Sequence, residues 1–233
     1  PETAFIRITR VIGGSLYRAD GTTPVAVGSY LSVSDTERGL RFLPSLNVNG
    51  INAGAVAVQA STKANITGVS PIVVTATVSI NAMADPPLVS DAITDEDTQS
   101  YDGLVIVRNP VDGPEVTHMV ITGYSGGQLY MPNGTTVIPV GSVIDATTAG
   151  YGLRFTPDAN RTQPGSVSIR AATSATGDGA SEASTATITI RPIVDGAPQI
   201  TGATTKEDEL SRADIVITRN ALDGDEIRFF RVY

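Results

Sequence analysis

Gly126-Gly127-Gln128-Leu129-Tyr130, followed further on by Gly152-Leu153-Arg154-Phe155, stands earlier in the chain as Gly13-Gly14-Ser15-Leu16-Tyr17 and Gly39-Leu40-Arg41-Phe42. The offset is 126 − 13 = 113 at the first match and 152 − 39 = 113 at the second, so the stretch between them repeats without insertion. A third copy begins near the end. Glu207-Asp208, Arg219-Asn220, Asp223-Gly224 and Glu226 each lie 111 residues beyond Glu96-Asp97, Arg108-Asn109, Asp112-Gly113 and Glu115. Repetition at domain length predicts modules, each with its own core. The expected division is residues 1–86 as a partial repeat lacking its first strands, 87–197 as a complete repeat, and 198–233 as the opening strands of a third. Because Pro1-Glu2 aligns with Pro114-Glu115, inside a repeat, the sequence reads as a window from a longer polypeptide.

Hydrophobic residues make up 41% of the 233, aromatics only 5%, and Thr, Ser, Val and Gly are abundant, which favours strands over helices. Apolar and polar residues alternate over short runs punctuated by Gly, Pro, Asn and Asp. In the repeat from 87 to 197 this predicts strands at Leu88 to Thr94, Leu104 to Arg108, Val116 to Thr122, Gln128 to Met131, Tyr151 to Thr156, Ser166 to Thr173 and Ser184 to Ile193, with Val137 to Val140 as an added edge. Seven short strands in about 110 residues point to an all-β fold of two packed sheets, repeated end to end. Val167, Ile169 and Ala171 share a face, as do Val56, Val58 and Ala60; Ala186, Ile188 and Ile190 pair likewise with Ala76, Val78 and Ile80. These are the expected cores, and a one-residue slip would turn each set into solvent. The repeats meet at short Pro-containing links, Asp85-Pro86-Pro87 and Asp195-Gly196-Ala197-Pro198, which favour domains held end to end.

The net charge is −8 with only two lysines, so no basic stripe exists to neutralise phosphates, and nucleic acid is not an expected partner. No run approaches the length of a membrane span. Cysteine is absent, which removes disulfides and thiolate metal sites. The one histidine, His118, lies in an alternating strand. No Gly-x-Ser-x-Gly elbow, phosphate loop or His-Glu-x-x-His occurs, so catalysis is not expected. Asn65, Asn133 and Asn160 each open an Asn-x-Thr sequon in a loop, a possible site of glycan attachment.

Acidic and amide side chains recur near both links: Asp85, Glu96, Asp97, Asn109, Asp112 and Glu115, then Asp195, Glu207, Asp208, Asn220, Asp223 and Glu226. Calcium takes six to eight hard oxygen ligands, and carboxylates from the end of one domain and the start of the next could converge on it. Two other readings stand beside this one. Asp-Gly is an ordinary turn dipeptide. Arg108 and Arg219 repeat with the acids and could pair with them in place of a metal.

Glu96-Asp97-Thr98, Asn109-Pro110-Val111-Asp112-Gly113, Gly127-Gln128-Leu129-Tyr130, Gly152 through Asn160, and Asp195 with Pro198 together resemble the cadherin-like, immunoglobulin-like tandem repeats of giant bacterial surface adhesins. That resemblance implies calcium between consecutive β-sandwiches, at Asp85, Glu96, Asp97 and Asp112 and at Asp195, Glu207, Asp208 and Asp223. The links lack the fuller Asp-x-Asn-Asp-x-Pro run of animal cadherins. It also implies an exported bacterial chain at the cell surface whose partners are neighbouring repeats of the same polypeptide. The expected function is a structural spacer in an adhesin or surface fibre. Two alternatives are a module binding a glycan or protein through the loops at Ser61 to Pro71 and Ala171 to Ala183, and a filament subunit assembled from copies by strand donation.

Overall fold

The computed structural model describes residues 2–232, and they are mostly strands with few helices. Two compact units are present: one comprises residues up to Met83 with Val111–Glu115, the other Ala84–Pro110 and Val116 onward. Among the described residues no helix is long and apolar enough to cross a membrane.

The first unit holds β1 (Phe5–Ile12), β2 (Gly14–Arg18), β3 (Pro24–Val25), β4 (Tyr30–Ser32), α1 (Val33–Glu37), β5 (Leu40–Pro44), β6 (Gly50–Ser61) and β7 (Val74–Ile80). One sheet runs β4-β1-β6-β7 and a second β3-β2-β5. The β1–β6 register slips between Ile8 and Arg10, the sign of a β-bulge, which sharpens the local twist. Ile8, Leu16, Val25 and Leu31 form the buried core, with Val11, Leu40, Val56 and Val58 packed partly against it. The short α1 starts at Ser32, whose hydroxyl accepts from the Asp35 amide at 3.1 Å, an ordinary N-cap.

The second unit holds β8 (Leu88–Val89), β9 (Ala92–Asp95), β10 (Ile106–Val107), β11 (His118–Ser125), β12 (Gly127–Tyr130), β13 (Val143–Asp145), α2 (Ala146–Gly150), β14 (Arg154–Pro157), β15 (Gly165–Ala172), β16 (Ser184–Arg191), β17 (Gln199–Ile200) and β18 (Ile217–Thr218). Its main sheet runs β13-β11-β15-β16-β9, beside the pairs β10-β8, β12-β14 and β17-β18. The β11–β15 register slips between Ile121 and Gly123, each 113 residues beyond its β1 counterpart (8 + 113 = 121; 10 + 113 = 123). Val167, Ile169, Ala171, Ala186 and Ile188 are fully buried together with Leu129, Leu153 and Phe155, as the alternation predicts. Gly127 lets the chain pass close to the Phe155 ring: a Cβ there would come within 2.7 Å of Phe155 Cζ.

The strand expected over Leu88 to Thr94 is two strands in different sheets, β8 and β9, parted at Ser90-Asp91. The stretch from Tyr151 becomes strand only at Arg154. Val137 makes a single bridge to Tyr130, while Ile138 is buried. The short β13 and α2 were not expected. Asp145 caps α2 by accepting from the Thr147 and Thr148 amides at 2.8 and 3.2 Å.

Candidate metal centre

The direction of β9 decides where the acids lie. It joins β16 in parallel, with Thr94 opposite Ile190 and Asp95 opposite Arg191. The Glu96 amide then donates to the Arg191 carbonyl at 2.9 Å. Parallel pairing thus carries Glu96 and Asp97 to the end of β16, beside the stretch that begins at Ile193. A tight turn follows: Asp97 has φ 55°, the Thr98 amide donates to the Asp95 carbonyl at 3.3 Å, and the Thr94 hydroxyl donates to the Thr98 carbonyl at 2.7 Å. An Asp tolerates this left-handed backbone better than most residues. Its carboxylate Oδ1 accepts from the Asn160 amide at 2.9 Å.

Glu96 is 0% exposed. Its Oε1 accepts from the Ile193 amide at 2.8 Å, whereas its Oε2, although buried, has no hydrogen-bond partner in the protein. Asp195, half-buried on the link, is similar. Its amide donates to Asp223 Oδ1 at 2.7 Å, and its own Oδ2 is buried without a partner. Glu226 accepts from the Gly224 amide, which closes the Asp223-Gly224 turn. Burial pushes the Glu96 carboxyl above its ordinary range; the Ile193 amide opposes this, and the charges of Glu226, Asp195 and Asp97 reinforce it. Asp195 is raised too, first by desolvation and then by Asp97, Asp223 and Glu226. Five carboxylates therefore share one field.

The other expected ligands are Glu207, Asp208, Asn109, Asn220, Asp85, Asp112 and Glu115. Glu207 and Asp208 are exposed in the turn after Lys206. Asn109 donates its side-chain amide to the Pro86 carbonyl at 3.0 Å, and the Asn220 amide lies directly over Gly196, so each asparagine braces a link. Asp85 lies on the link before β8, while Asp112 and Glu115 lie in Val111–Glu115, where Glu115 Oε1 accepts from the Gly113 amide at 2.8 Å. Sequence reasoning grouped Glu96 and Asp97 with Asp85, Asn109, Asp112 and Glu115. The structure adds a grouping that the sequence did not single out: Glu96 lies in the field of Glu226, Asp195 and Asp97, and Asp195 in that of Asp97, Asp223 and Glu226. A parallel strand addition leaves no mark in local alternation, so offset alone could not reveal it.

Arg219 pairs with Asp225 at 3.0 Å and also donates to the Gly224 carbonyl, and Arg108 reaches the Val116 carbonyl at 3.5 Å. The donor set is oxygen only, with two buried oxygens unpaired, which fits a hard cation such as calcium and not zinc. Among the described residues no three acidic or histidine side chains already stand in metal-binding geometry. Like charges hold such groups apart, and a divalent cation would reverse that force. No family model matches the chain, and no curated protein matches it.

Proposed function

We propose that the chain is a structural spacer from the repeat region of an exported bacterial adhesin or surface fibre, not a catalyst. In this reading it comprises immunoglobulin-like sandwiches of about 110 residues joined end to end and stiffened by calcium at their junctions. The observation that carries it is Glu96: a fully buried carboxylate with one oxygen that makes no hydrogen bond, in the field of Glu226, Asp195 and Asp97, with Asp223 acting in turn on Asp195. A buried charge without compensation is costly, and its retention is most simply explained by a ligand that supplies the opposite charge.

All five lie in the second compact unit; in this reading Glu96 and Asp97 belong to one repeat, Asp195 to the link after it, and Asp223 and Glu226 to the repeat that follows. A calcium ion held by these residues would tie three successive pieces of chain together, which is what stiffening a junction requires. Its chemistry there is charge neutralisation. Thermal melts in calcium, magnesium and chelator test this. Saturating calcium is expected to raise the melting temperature, by about 2.7 kcal/mol of stability at a concentration 100 times Kd. Superimposable curves in calcium and chelator at low ionic strength would remove calcium from this reading.

A further inference from the structure

The chain holds two Asn-Gly pairs, Asn49-Gly50 and Asn133-Gly134, and the fold treats them differently. An asparagine before glycine is open to attack by its own backbone, because a following residue without a Cβ lets its amide nitrogen approach the side-chain carbonyl. Attack then depends on the freedom of the carboxamide and of that nitrogen.

Asn133 is pinned. Its Oδ1 accepts from the Thr135 and Thr136 amides, both at 3.0 Å, and its Nδ2 donates to the Thr136 hydroxyl at 2.8 Å. The Gly134 amide, whose nitrogen would attack, donates to the Met131 carbonyl at 2.9 Å, and Gln99 Nε2 donates to the Gly134 carbonyl at 3.0 Å. The first unit repeats this turn at Asp20 (133 − 113), whose Oδ1 accepts from the Thr22 and Thr23 amides at 2.9 Å and whose Oδ2 accepts from the Thr23 hydroxyl at 2.6 Å. The turn belongs to the repeat and locks whichever side chain stands there.

Asn49 has no such lock. Its side chain makes no hydrogen bond among the described residues, and Gly50 is exposed. Both lie in an enlarged loop: Pro44 and Gly54 match Pro157 and Gly165, so nine residues (53 − 44) stand where the second unit has seven (164 − 157). The β6–β7 register slips between Gly50 and Gly54, and Asn47, Gly50 and Asn52 take φ of 58°, 122° and 56°. An interrupted ladder constrains this backbone less than a continuous one.

We propose that Asn49 is a site of spontaneous modification, converted without an enzyme through a cyclic imide to aspartate and isoaspartate. The Gly50 nitrogen attacks Asn49 Cγ; the N–Cγ bond forms, the Cγ–Nδ2 bond breaks, and Nδ2 leaves as ammonia with the proton that the Gly50 nitrogen gives up. One water then opens the imide. Opening at the new N–Cγ bond leaves an aspartate at position 49, and opening at the original peptide bond leaves an isoaspartate, in which the main chain runs through the former side chain. Either product adds one negative charge at the start of β6, and the isoaspartate also adds a backbone carbon. Ammonia is lost for good, so the converted fraction grows with the age of the chain.

Mass-spectrometric peptide mapping of the whole chain, incubated at physiological temperature and mildly alkaline pH, folded and in concentrated urea, is the test. In the folded chain position 49 should convert at least about tenfold faster than position 133, which must break several hydrogen bonds before it can cyclise. In urea those bonds are gone and the two rates should converge. Asn49→Gln should remove the new acidic species that ion exchange resolves from the aged folded chain, because the longer side chain does not close the five-membered ring. Equal rates at the two positions in the folded chain, faster conversion at 133, an Asn49 amide that survives folding conditions while the urea sample converts, or an acidic species unchanged in Asn49→Gln would each overturn the assignment.

Discussion

Glu96 Oε1 accepts the backbone N–H of Ile193 at 2.8 Å across 97 residues of sequence. One contact thus joins the turn after β9 to the stretch after β16, and it satisfies only one of the two carboxylate oxygens. Glu96→Gln should keep this acceptor while removing the charge. In chelator the variant is expected to be more stable than wild type, by on the order of 1 kcal/mol, because a buried unpaired anion has gone. In calcium the order should reverse, since the variant gives up a charged ligand. Melting both proteins under both conditions measures the crossover; a Glu96→Gln protein that gains as much from calcium as wild type would take Glu96 out of the site.

The pH dependence should have the opposite sign to an ordinary salt-bridged domain. Glu96 and Asp195 are raised in the folded state, first by desolvation. Between their raised values and the ordinary carboxylate range, the folded state binds more protons than the unfolded one. Lowering pH through that window therefore stabilises the second unit. Below it, Asp145 and Asp178, lowered by hydrogen bonds from Thr147 and Thr176, lose their contribution and stability falls again. In the first unit Asp20 is lowered to about 2 by the Thr23 hydroxyl and amide and the Thr22 amide, so its contribution persists to low pH and is lost as pH falls through about 2. Chemical denaturation in chelator across this range is expected to show a maximum below neutral pH for the second unit, and calcium should erase it.

Alternation was a direct guide to burial in the second unit, where Val167, Ile169 and Ala171 were assigned to the core from their spacing and are all 0% exposed; in the first unit the same spacing gave Val56, Val58 and Ala60, which are only half-buried, and Ala76, which is exposed. What was not legible falls into two kinds. The helices α1 and α2 span five residues each, too few for a helical period, and only the caps at Ser32 and Asp145 could have signalled them. The acid field was harder, because repeat offsets say which residues are equivalent and not which are neighbours. Glu96 meets Asp195 through the parallel β9–β16 ladder, a long-range pairing with no local signature.

The glycines that revealed the repeat are framework. A Cβ on Gly127 would lie 2.7 Å from Phe155 Cζ and against the Thr156 carbonyl, and one on Gly14 would meet Phe42 Cζ at 2.6 Å and the Leu43 carbonyl. Backbone on one side and a core ring on the other leave little room to yield. Gly127→Ala is expected to destabilise the second unit by more than about 2 kcal/mol, at the upper end of ordinary point substitutions. Gly202→Ala, with open space around it, should be near neutral. Urea titration of both variants makes the comparison.

Phe155 and Phe42 are the same residue of the repeat in two states of enclosure. Phe155 is 0% exposed in a core that Leu104 and Ile106 close, whereas Phe42 is partly exposed in a unit where that plug is absent among the described residues. Truncating a sealed phenylalanine loses transfer energy and leaves a cavity, so Phe155→Ala should cost about 3–5 kcal/mol. At Phe42 the solvated side adds no such cavity, and the loss should be well under about 3 kcal/mol. The wild-type chain is accordingly expected to melt in two steps, the first unit before the second. Phe42→Ala should shift only the earlier step and Phe155→Ala only the later one, as read by calorimetry.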